Sequence, residues 1–144
     1  MNIKTLCLII NLIPFQIKKM IKFPLNNGVI IKGSPNGCRL YDYKGITLLP
    51  LDDLSIKSCS KGTVILVSKN SDPVVGSSVV IKSDSIFYYY SGLDTIVALK
   101  NQVIDKGAII GMKDKKNIYK ETIYFSVTIK NKQVDAEKYV IYNK

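Results

Sequence analysis

From residue 23 onward the chain is cut into short apolar runs, each closed by a turn former, and this pattern limits the fold more than any other feature. GVIIKG (28–33), GITLLPL (45–51), GTVILVS (62–68), SSVVIKS (77–83), SIFYYYS (85–91), DTIVALK (94–100), AIIGM (108–112), TIYFSVTI (122–129) and KYVIY (138–142) follow one another at short intervals. Val, Ile and Tyr fill them and Gly, Asn, Asp, Ser or Pro separate them, which is the grammar of strands and turns. No window holds a sustained 3.6-residue apolar period, apart from a short helical start at 135–138. The pattern predicts an all-β sandwich or barrel-like domain. SIFYYYS cannot alternate apolar with polar, so its aromatics must serve both faces of a strand, some in the core and some lining a surface groove.

The 144 residues are 47% hydrophobic, enough for one domain with a real core. The net charge of +10 is spread along the chain and comes almost wholly from lysine, with Arg39 the single arginine. A dedicated phosphate or carboxylate reader carries arginine forks. The charge therefore reads as solubility and loose attraction to polyanions, with no specific nucleic acid expected. A basic β-domain that stacks bases on the FYYY aromatics is the weakest of the function classes. Cys7, Cys38 and Cys59 are odd in number and lack C-x-x-C spacing. They read as buried thiols, with a Cys38–Cys59 bridge open to an oxidising compartment.

Residues 1–22 differ from the rest. A basic start, MNIK, precedes the apolar run TLCLIINLIPF, which is the length of a signal-peptide core and short for a membrane span. The segment reads as a signal or anchor, or as a mis-assigned start with Met20 the true one. On the first reading the protein is in the cell envelope or periplasm and any membrane contact is through this segment; on the second it is cytoplasmic. Residues 23–144 form the domain.

The turns narrow the class. In LKNQVIDKGAIIG, Asn101, Ile104, Gly107 and Gly111 resemble the G-x-x-V-x-x-G-x-x-I-G corner of lysostaphin-type (LytM-like) peptidases and other duplicated-hybrid-motif or barrel-sandwich proteins. Asn101 stands for the first glycine, a replacement that a left-handed backbone tolerates. Five further pieces occur in that family's order. YKGITL (43–48) resembles H-x-G-I-D-I, and KGTVILVSKNSD (61–72) resembles the next strand. GSSVVIKSDSIFYYYSGLDTI (76–96) resembles the stretch ending Y-x-H-L, and TIYFSV (122–127) with VDAEKYV (134–140) resembles H-L-H-F-E-V and the V-D-P-x-x-Y-L tail. The resemblance, over residues 28–140, implies an antiparallel barrel-sandwich fold and descent from enzymes that cut peptidoglycan peptide cross-links with one zinc ion.

The departures carry as much information as the matches. The chain has no histidine. Carried over residue by residue, the zinc-ligand positions hold Tyr43, Thr47 and Tyr124, and the two catalytic-histidine positions hold Gly92 and Thr122. A catalytic zinc takes imidazole, thiolate or carboxylate ligands, so the resemblance implies neither metal nor cofactor here. Tyr43, Tyr90 and Tyr124 are the candidate groove-binding residues, through a flat face and a polar tip; plugging the vacated site is the blander role for Tyr43 and Tyr124.

No other constellation replaces the lost one. Asp52 and Asp53 read as a solvated turn, Ser77 and Ser78 open a strand without a base nearby in sequence, and Met112-Lys113 leads into a charged solvated loop. The expected function is a catalytically inactive binding or regulatory module in peptidoglycan remodelling. Its partner would be peptidoglycan or a cell-envelope protein such as a wall hydrolase. An active hydrolase using non-standard residues is the alternative.

Overall fold

The computed structural model describes residues 24–25, 28–31 and 44–136. They form β1 (Gly28–Ile31), β2 (Ile46–Pro50), β3 (Ser55–Lys57), β4 (Gly62–Ser68), β5 (Ser77–Ser83), β6 (Ile86–Leu93), β7 (Thr95–Ile96), β8 (Val103–Ile104), β9 (Ile109–Met112), β10 (Ile123–Ile129) and β11 (Lys132–Val134). The large sheet runs β1-β2-β10-β6-β5-β4-β8 with β11 also on β10, and the small sheet runs β3-β9-β7. Every pairing is antiparallel. The all-β, antiparallel expectation holds. Of the helical start at 135–138, only 135 and 136 are described, and Ala136 has helical backbone.

Period-2 alternation decides which face each side chain serves. On β10, Ile123, Phe125 and Val127 are fully buried while Tyr124 and Thr128 are half-buried on the opposite face. On β6, Tyr88 and Tyr90 turn into the core, and Phe87, Tyr89 and Ser91 turn outward. The two strands are paired in register, Phe125 opposite Tyr90 and Val127 opposite Tyr88. Their rings meet at the centre of the core, Tyr90 to Phe125 at 5.0 Å and Tyr88 to Phe125 at 6.5 Å between centroids. Ile56 of β3 and Ile110 of β9 close that core from the small sheet.

Tyr90 is thereby corrected from groove residue to core residue. It is fully buried, and its hydroxyl accepts the Cys59 N–H at 2.9 Å and donates to Cys59 Sγ at 3.1 Å. A phenol can be buried at low cost only when its polar tip is bonded, and Cys59 supplies both bonds. Cys59 is itself a buried thiol, free among the described residues; Cys38, the other end of the bridge left open from the sequence, lies outside them. Burial pushes this thiol up to about 12, against hydrogen bonds from Tyr90 and the backbone that lower it.

Two results follow for Cys59. In the native protein the Cys59 peptide stays unlabelled by iodoacetamide at pH 8 and becomes labelled in denaturant, as mass mapping of the digest will report. The folded state also holds this proton more tightly than the unfolded chain, whose thiol titrates near 9.0. Its contribution to stability is therefore full below that pH and is lost as pH rises toward 12.

The predicted corner is present. Asn101 has φ 70°, the left-handed value expected at the position of the first glycine. Its N–H donates to the Val64 carbonyl at 2.7 Å, and Val64 N–H returns a bond to the Gln102 carbonyl at 2.9 Å, which pins the corner to β4.

Candidate functional site

The large sheet sets β2, β10 and β6 side by side, and that order gathers the positions singled out from the sequence. Thr47 lies directly opposite Tyr124, and Tyr124 lies directly opposite Ser91. Thr122 immediately precedes β10, with Gly92 beside it: a Cβ on Gly92 would point at the Thr122 carbonyl from 3.1 Å. Thr47, Gly92, Thr122 and Tyr124 thus share one region of the face turned away from the core. Tyr43 lies outside the described residues.

Each side chain there is held by its neighbours. The Tyr124 ring lies directly over Gly45, in space that any Cβ at that position would occupy. It meets Tyr89 edge-on at 6.2 Å, and its hydroxyl accepts a bond from Gln133 Nε2 of β11 at 3.0 Å. Burial raises its pKa above the ordinary phenol value, offset in part by hydrogen bonds with Ser126 and Gln133, so it is a neutral phenol near pH 7. Thr47 is buried and Thr122 half-buried. Gly92 has φ 85°, a conformation that L side chains rarely adopt.

This donor set does not fit the zinc that such a fold holds in its enzymes. Two neutral hydroxyls, a phenol kept neutral by burial and a glycine provide no imidazole, thiolate or carboxylate. Among the described residues no three His, Cys, Asp or Glu side chains converge in a way that could hold a metal ion.

The other candidates resolve into local structure. Asp53 accepts the Ser55 N–H at 2.9 Å and the Ser55 hydroxyl at 2.5 Å, and pairs with Lys57 at 3.5 Å. It shapes a turn. Ser77 Oγ accepts the Asn70 N–H at 3.0 Å, and Ser78 Oγ is bonded to the hydroxyls of Tyr89 and Ser91, each at 3.3 Å. These partners are not bases.

Asp114, Lys115 and Lys116 form the expected solvated loop, but Lys113 at its start is buried. Its side chain is 3% exposed, and Nζ donates to the Gly92 carbonyl at 2.8 Å and pairs with Asp94 at 3.2 Å. Burial lowers its pKa, and Asp94 pulls it back up. Asp94 also accepts the Asp114 N–H at 2.6 Å and Asn117 Nδ2 at 2.7 Å, while the same amide nitrogen donates to the Pro73 carbonyl at 2.9 Å. Residues 113–122 and 70–76, the loops beside the site, are braced together through Asp94 and Asn117. Nothing local in the sequence marks Lys113, because its partners lie about twenty positions upstream.

The arrangement and the comparisons agree on the fold, which is that of the lysostaphin-type zinc peptidases. A zinc-containing peptidase from Vibrio cholerae superposes with a TM-score of 0.66 at 24% identity, covering 81% of this chain and 39% of that one. Lysostaphin itself superposes at 0.61 with 13% identity, covering 83% and 54%. A chain of the SpoIIQ–SpoIIIAH pore-forming complex superposes at 0.65 with 16% identity, covering 84% and 90%. This chain therefore spans well under half the length of the Vibrio enzyme and nearly the whole of the pore-complex chain. No protein-family model and no curated protein sequence matches it.

Proposed function

We propose that this protein is a non-catalytic member of the lysostaphin-type architecture, a module that binds peptidoglycan or an envelope protein and regulates or positions wall remodelling. The observation that carries this reading is the site itself: Tyr124 packed on Gly45, opposite Thr47, where a metal centre would need charged or imidazole donors. Tyr43, Thr47 and Tyr124 stand at the former ligand positions, and Gly92 and Thr122 at the former catalytic ones. Filling such a site with neutral side chains removes buried charges that only a metal makes tolerable, so the frame stays stable without one. The occurrence of this fold in a pore-forming complex supports a role in protein assembly as well as at the wall. An envelope location accords with both partners.

The test is elemental analysis of purified protein at neutral pH beside incubation with intact sacculi. Zinc well below one equivalent, no release of wall peptides and co-sedimentation with sacculi, or with an envelope protein, is the expected result. Stoichiometric zinc, or peptide release that persists in chelator, would overturn it.

A further inference from the structure

The face of the large sheet turned away from the core carries a regular arrangement that extends beyond the former ligand positions Thr47 and Tyr124. Ser68, Ser78, Ser91 and Tyr124 lie opposite one another in turn across β4, β5, β6 and β10, and the row ends on the buried Thr47 of β2. Each strand contributes one hydroxyl, repeating at the interstrand distance of about 4.8 Å, close to the length of one hexose ring. Beside this row runs another in which Leu66, Val80 and Tyr89 are likewise opposite, ending on the buried Ser126 of β10. Phe87, two residues before Tyr89 on β6, faces the same way and has Lys82 Nζ at 5.7 Å from its ring centre. At Ser91 the hydroxyl row opens into a cavity of about 640 Å³ that reaches Thr122 and Tyr119, the latter 68% exposed.

We infer that this face binds a glycan chain, laid across the strands with its sugar rings on Tyr89 and Tyr124 and its hydroxyls on the serine row. The inference rests on the wall-binding arm of the reading above and names its ligand. Two physical arguments select a sugar. In the middle of a sheet the backbone N–H and C=O groups are already paired strand to strand, so a ligand on the face is read by side chains alone. A peptide bound by strand addition instead pairs with a sheet edge through main-chain bonds, which the middle of this sheet does not offer. Hydroxyls that both donate and accept, next to half-exposed phenol rings, match a ligand made of hydroxyls and C–H faces. Charge separates a sugar from a nucleic acid. Among the described residues of these rows, of Phe87 with its neighbours and of the cavity beside Ser91, the cations are Lys82 and Lys120, the latter next to Glu121, whereas binding a phosphate backbone takes a groove of several uncompensated ones.

The experiment is titration of the full chain with chitohexaose, a peptide-free amino-sugar chain, beside a synthetic wall stem peptide, an oligothymidine and intact sacculi. Chitohexaose and sacculi bind the wild type; Tyr89→Ala weakens both by about tenfold; Ile109→Ser, at an exposed position of β9 on the small sheet, leaves binding within about twofold. Thermal unfolding of each variant separates loss of ligand from loss of fold, and Ser78→Ala with Ser91→Ala gives a second, milder probe of the row. Sacculi that bind while chitohexaose does not, or chitohexaose binding indifferent to Tyr89→Ala, overturns the glycan assignment and leaves the non-catalytic wall module standing. Preference for the stem peptide returns the site to peptide recognition, and salt-sensitive binding of oligothymidine alone moves it to nucleic acid; either overturns the inference. Release of wall peptides by the same sample would instead defeat the non-catalytic reading itself.

Discussion

Lys113→Ala is expected to destabilise the fold by about 3 kcal/mol, read as a lower denaturant midpoint with an unchanged slope. The pair it breaks is nearly sealed from solvent, at 3% and 13% exposure for the two side chains. Removing the ammonium leaves the Gly92 carbonyl without that donor and Asp94 as a charge partly shielded from water. Asp94 keeps the Asp114 N–H and Asn117 Nδ2 as donors, which places the cost at the low end of what a broken buried pair costs. The double variant Lys113→Met with Asp94→Asn should recover part of the loss, because it removes both charges while keeping volume and one of the two acceptor oxygens that Asp114 N–H and Asn117 Nδ2 use. A double-mutant cycle over these variants measures the coupling. If Lys113→Ala costs less than about 1 kcal/mol, the value of an exposed pair, the brace between residues 70–76 and 113–122 does not depend on it.

That brace marks where the sequence stops being informative. Strand existence was legible because period-2 patterning is local: Ile123, Phe125 and Val127 are written one residue apart from Tyr124, Ser126 and Thr128, and their burial follows that rhythm with Ser126 as the exception. The corner at Asn101 was legible for the same reason, since its left-handed backbone is a property of that residue and its neighbours. Lys113 was not, because a lysine after Met112 looks identical whether it ends in water or beneath Gly92. The reason for Gly45 was equally hidden. Only the pairing of β10 with β2 places the Tyr124 ring in the space above it. For the candidate site, the order of the motifs singled out positions on or beside β2, β6 and β10, while the sheet register decided which side chains face one another.

The FYYY run shows this limit in one place and leads to the largest expected effect. Four aromatics in succession carry no phase, so nothing in the sequence says which two enter the core. Register with β10 settles it, placing Tyr90 against Phe125 and leaving Tyr89 opposite Ser126 on the outer face. Adjacent tyrosines should therefore respond to substitution in opposite ways. Tyr90→Ala removes a fully buried ring packed on Phe125 and strips the Cys59 N–H of its acceptor. Cavity formation at a buried aromatic costs about 3–5 kcal/mol, and the unsatisfied donor adds about 1–3 kcal/mol. Against the 5–15 kcal/mol of a typical domain, the expected result is a protein largely unfolded at 37 °C, or one whose melting temperature falls by more than about 15 °C. Tyr90→Phe keeps the ring and loses only the bonds to Cys59, at about 1–3 kcal/mol, with wall binding unchanged. Tyr89→Ala, on the outer face, should cost about 1 kcal/mol or less while abolishing most glycan affinity. If instead Tyr90→Ala folds normally and loses ligand while Tyr89→Ala unfolds, β6 is turned over relative to β10, and both the core and the binding face would have to exchange sides.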